Sequence, residues 1–105
     1  MNIYHLKERE VRELQVETLE EVAPTGTRPI ASGFAAFPRG ARVPESGLSS
    51  HDQHEISYVI EGRLEVTLEQ QTRTLVAGDA ACIAANELHA SRALEDSKVF
   101  WVLCG

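Results

Sequence analysis

The chain has 105 residues, 43% of them hydrophobic and 25% charged, which suits one soluble globular domain over residues 1–105 and excludes two separate cores. A formal net charge of -6 argues against a nucleic-acid partner, because neutralising phosphates needs clustered Lys and Arg. No apolar run approaches the roughly 20 residues that cross a bilayer, and Met1-Asn2-Ile3-Tyr4-His5-Leu6-Lys7-Glu8 lacks the layout of a signal peptide, so no membrane partner and a cytoplasmic location are expected.

The N-terminal stretch carries Glu8, Glu10, Glu13, Glu17, Glu20 and Glu21, a solvated acidic face. Leu6 to Arg12 is compatible with a short helical turn or with an extended lead-in. Glu13 to Leu19 alternates polar and apolar residues, the two-residue period of a half-buried strand. Pro24-Thr25-Gly26-Thr27-Arg28-Pro29 is turn chemistry, and Ile30 to Phe37 is a second strand. Pro38-Arg39-Gly40 and Pro44-Glu45-Ser46-Gly47 mark a loop. Glu55 to Ile60 and Arg63 to Glu69 flank Glu61-Gly62 as a hairpin. Thr72 to Val76 and Ala80 to Ala84 are short strands around Gly78-Asp79, and Asn86-Glu87 turns the chain before His89. Lys98 to Leu103 closes it as an apolar, aromatic strand, which exposed at a sheet edge would invite pairing with another chain. Short strands at near-regular spacing predict an all-β sandwich or barrel. Cys82 and Cys104 have no CxxC partner and read as small apolar side chains. Tyr58, Phe34, Phe37, Phe100 and Trp101 read as core or interface aromatics.

Chemistry concentrates in two segments. Three of the four histidines lie in Ser49-Ser50-His51-Asp52-Gln53-His54-Glu55 and in Gly78-Asp79 through His89. Two imidazoles and a carboxylate form a ligand set for first-row transition metals that leaves coordination positions open. Glu55 is the hardest of the three to explain structurally, because a carboxylate aimed into an apolar barrel must be paired or coordinated.

On these residues the segment from Gly40 to Ala93 resembles the cupin superfamily, small β-barrels with two histidine-bearing motifs. The first motif (about 40–62) has a glycine, His-x-His, a gap, Glu and a closing Gly; His51, Glu55 and Gly62 match its later positions. The second (about 78–93) opens with Gly-Asp and ends in His; Gly78, Asp79 and His89 match, with Ala84 and Asn86 where the family has proline and glycine. The first histidine of His-x-His falls on Ser49, and Glu45 to Leu48 reads as an insertion. The resemblance implies a single-domain cupin-type barrel (a double-stranded β-helix, or jelly roll), a divalent transition metal (Fe, Mn, Ni or Zn), a small-molecule ligand and a homodimer.

Three arrangements of the site follow. His51, Glu55 and His89 hold a metal, with Ser49 lining the open position; or His54 turns in as a third imidazole; or the site is metal-free and His51 or His89 is a general base. The expected function is a metal-dependent isomerase, lyase or dioxygenase acting on a small polar organic metabolite, with Glu55 and His51 as its catalytic residues. The alternative is a cupin that binds a metabolite or metal without turnover. Arg42 or Arg63 is a candidate to clamp a substrate carboxylate.

Overall fold

The alternation in the sequence becomes two antiparallel sheets in the computed structural model, which describes residues 1–105. The strands are β1 (Gln15–Val22), β2 (Ile30–Phe37), β3 (Arg42–Val43), β4 (His54–Glu61), β5 (Arg63–Leu68), β6 (Thr72–Val76), β7 (Ala80–Ile83), β8 (His89–Ala93) and β9 (Ser97–Cys104). One sheet has the order β1-β2-β9-β4-β7 and the other β3-β8-β5-β6. The fold is an all-β jelly-roll barrel. The only helical element is a single 3-10 turn, Leu6–Glu8, and no helix is long and apolar enough to cross a membrane.

Most strands fall where the residue alternation places them, with four differences, the first being β3, which pairs with β8 inside the stretch expected to be a loop. β1 runs three residues further than Leu19, because Glu20, Glu21 and Val22 pair with Ser32, Ala31 and Ile30 past an irregularity after Thr18. His89 begins a strand, β8, rather than merely following a turn; its partners are β3 and β5. β9 is not an edge strand. It lies between β2 and β4, hydrogen-bonded on both sides, so its backbone offers no free edge to another chain.

Inside the barrel, Ala35, Phe37, Val59, Leu64, Ala93 and Val99 form the buried core. Two glycines have steric work to do. Gly62, at φ +94°, turns the β4–β5 hairpin, and a Cβ there would lie 2.3 Å from Ser97 Oγ. Gly33 lies beneath the indole of Trp101, where a Cβ would come within 2.0 Å of Cζ2 and 2.3 Å of the Glu17 carbonyl oxygen. The N-terminal segment covers part of the outer face of the larger sheet. The Arg9 guanidinium stacks over the Phe34 ring at 5.1 Å and pairs with Glu17. The Lys98 ammonium donates to the Lys7 carbonyl and lies 3.2 Å from a Glu61 carboxylate oxygen.

Candidate metal centre

β4 presents alternate residues to the barrel interior, so Glu55, Ser57 and Val59 face in while His54, Ile56 and Tyr58 face out. His51 reaches the same space from the loop before β4, and His89 from the first residue of β8. One ligand atom from each of His51, Glu55 and His89 lies within 4.8 Å of the others. His89 is buried, and the His51 and Glu55 side chains are half-buried. The two imidazoles meet edge to face with ring centroids 5.2 Å apart.

Each ring is oriented by its own local backbone. His51 Nδ1 lies 2.8 Å from the Gln53 carbonyl oxygen, and His89 Nδ1 lies 2.8 Å from that of Glu87. A carbonyl only accepts, so Nδ1 carries a proton in both rings, and in a neutral ring Nε2 keeps its lone pair. Backbone carbonyls that accept from Nδ1 fix the tautomer of metal-ligating histidines. Glu55 is held similarly: Ser57 Oγ donates to its Oε2 at 2.9 Å, leaving Oε1 3.2 Å from His51 Nε2. With Nδ1 protonated, a neutral His51 turns one acceptor toward another across that gap. Only a proton or a cation between them makes the contact favourable. The donor set of two nitrogens and one carboxylate oxygen therefore fits a divalent transition ion.

The two motifs are stitched together by main chain. Asn86 N donates to the His51 carbonyl at 2.7 Å, and Ser49 exchanges backbone hydrogen bonds with His89 at 3.0 and 2.8 Å. Asn86 has φ +66°, so it occupies the left-handed region that suits the family's glycine at this position, and Asn tolerates it better than most residues. Ser49 lines the cavity, as expected of the vacated histidine position.

Two expectations for the site do not hold. His54 is exposed, and its Nδ1 accepts from Ala85 N–H at 3.1 Å, because alternation along β4 sends it to the face opposite Glu55. Arg42 does not line the cavity. Val43 does, which sends Arg42 to the other side of β3, where its guanidinium donates to the Pro44 carbonyl at 2.8 Å. Arg63 is exposed for the same reason, with Leu64 facing in.

Three cavity residues escaped the sequence reading. Ser57 and Ser91 follow Glu55 and His89 by two, the spacing that puts strand residues on one face. Trp101 pairs with Ser57 across β4 and β9 and lines the cavity. Its Nε1 is the one fully buried side-chain N or O atom without a hydrogen-bond partner.

The Cupin domain family model matches residues 34–104, well over half of the chain and both histidine segments. The chain belongs to the cupin family. Solved structures agree on the fold. KdgF from Halomonas sp. is 27% identical, with a TM-score of 0.70 over 99% of this chain and 93% of its own. A Cupin 2 conserved barrel domain protein from Salinispora arenicola is 23% identical, with a TM-score of 0.73 over 100% and 89%. A cupin superfamily protein from Desulfitobacterium hafniense is 17% identical, with a TM-score of 0.74 over 99% and 90%. No curated protein matches this cupin in sequence.

Proposed function

We propose that this cupin is a metal-dependent enzyme in which His51, Glu55 and His89 hold one divalent transition ion and a small organic molecule reacts beside it. What carries this is the 3.2 Å approach of His51 Nε2 to Glu55 Oε1, two facing acceptors when the ring is neutral and Gln53 holds the Nδ1 proton. An ion there would polarise an oxygen-bearing group of the substrate or supply redox chemistry, the common basis of isomerase, lyase and dioxygenase reactions.

The chain's own residues supply position and dryness. The Gln53 and Glu87 carbonyls keep both imidazoles turned toward the cluster, and Ser57 keeps Glu55 from rotating away. Ser49 stands where a third imidazole would stand and leaves space for a ligand. With the ion bound, His51 Nε2 and Glu55 Oε1 would both be taken up as ligands; only without it would Glu55 and His51 be the groups to carry a proton to or from the substrate.

Elemental analysis of untagged protein should find about one Fe, Mn, Ni or Zn ion per chain. Metal-free protein whose melting temperature ignores all four ions would end this reading. Capture without turnover is the second reading, favoured by Ser49 in place of a ligand. Metal-loaded protein that binds a compound, leaves it chemically unchanged and consumes no oxygen would decide for it.

We further propose a homodimer through the outer face of the larger sheet. Ile56 and Tyr58 on β4, 46% and 45% exposed, lie beside Val102 and Phe100 on β9, an apolar area that the N-terminal segment leaves uncovered.

A further inference from the structure

Strand register sorts the barrel interior into three layers. Glu55 pairs with Leu103, and His89 with Leu68, at the level of the cluster. Two residues further along, Ser57 pairs with Trp101 and Ser91 with Val66. Two further still, Val59 pairs with Val99 and Ala93 with Leu64. Polarity falls with depth, from ionisable groups, through hydroxyls and one unpartnered indole N–H, to hydrocarbon.

The cavity running through these layers measures about 210 Å3, and 13 of its 19 lining residues are hydrophobic. That is below the roughly 300–1,000 Å3 of pockets for drug-sized ligands. None of the lining residues is Lys or Arg, and Glu55 is the only acid among them. A ligand with several hydroxyls would leave them facing aliphatic wall without partners. A multiply anionic one would meet Glu55 with no side-chain cation to offset it.

We propose that the cavity takes a small molecule with a single oxygen-bearing head and an unfunctionalised hydrocarbon body, not a polyhydroxylated or multiply charged metabolite. The head lies at the cluster and reaches no deeper than Ser57, Ser91 and the Trp101 N–H; the body lies against Val59, Leu64, Val66 and Val99. The placement of the head rests on the metal-centre reading. The choice of body rests on the lining alone. This narrows the small polar metabolite anticipated from the family resemblance to an amphipathic one.

Trp101 is the only tryptophan, so intrinsic fluorescence reads the cavity directly. Two monocarboxylates of equal carbon count, 4-methyl-2-oxopentanoate and gluconate, are titrated into metal-free and zinc-loaded protein, with Trp101 emission and melting temperature as readouts. The oxo acid should saturate at least about tenfold below gluconate and raise the melting temperature. Val66→Thr, which keeps the shape and adds a hydroxyl, should cut that preference several-fold while circular dichroism shows an intact barrel. Equal or tighter gluconate binding, or no binding of either compound in either form, overturns the proposal. A preference for the oxo acid without zinc retention would uphold the apolar body and reject the metal centre, which separates the two failures.

Discussion

The two faces of β4 carry the same kinds of residue to opposite ends. Glu55 and Ser57 face inward, where Ser57 Oγ donates to the carboxylate and the carboxylate is aimed at His51. One residue away, His54 faces solvent and accepts from a loop amide, while Ile56 and Tyr58 lie exposed. The chemical type of a residue does not decide its role on this strand; the parity of its position does. The inner face gathers donor atoms with His51 and His89, and the outer face leaves Ile56 and Tyr58 open to solvent.

Substitutions on the two faces should therefore separate cleanly. Glu55→Gln should lower affinity for a divalent transition ion about a hundredfold or more, whereas His54→Ala should leave it within about twofold, both by calorimetric titration. Equal losses would break the comparison. Gly33→Ala should be costly without touching the cluster, because the new Cβ meets the Trp101 ring and the Glu17 carbonyl. A loss of about 1–3 kcal/mol is expected in chemical denaturation, with a shift in Trp101 emission.

Ser57→Ala should weaken metal binding about tenfold and leave the fold intact, since Ser57 only orients Glu55. On the outer face, Ile56→Asp should shift sizing chromatography from dimer to monomer while metal content stays unchanged. A monomeric parent protein would refute the proposed interface.

The smallest effect concerns the N-terminal segment. Asn2 and then Tyr4 donate to the Glu20 carboxylate and hold its pKa below the ordinary 4.5. A depressed acid stabilises fully above its unfolded pKa and loses that contribution as pH falls through the folded value. The Tyr4 ring resonances should thus move toward their unfolded positions below pH 4.5 while the amides of the barrel core stay protected from exchange. Uniform loss of protection would contradict a local role.

Much of this was legible in the sequence because period-two alternation and motif spacing are both short-range signals. They place the β4–β5 hairpin, β2, β6 and the His51, Glu55 and His89 positions. The same alternation, applied to β4, sends His54 to the face opposite Glu55, and the third-imidazole arrangement fails for that reason. What the sequence withheld is cross-strand information. Arg42 can be excluded from the cavity only once Val43 is seen to face inward. β9 reads as an edge strand until β2 and β4 are seen to flank it. The cavity's apolar depth depends on register between β4, β5, β8 and β9, which no single segment encodes. Ser57 and Ser91 were within reach of the alternation rule, two residues beyond Glu55 and His89.

The central claim is that His51, Glu55 and His89 share one ion. Anomalous diffraction from crystals of untagged protein, recorded at the absorption edge of the metal found by elemental analysis, tests it most directly. One strong peak is expected, bonded to Nε2 of both histidines and to the Glu55 carboxylate. A peak at His54, or none in protein soaked with each of Fe, Mn, Ni and Zn, would contradict it.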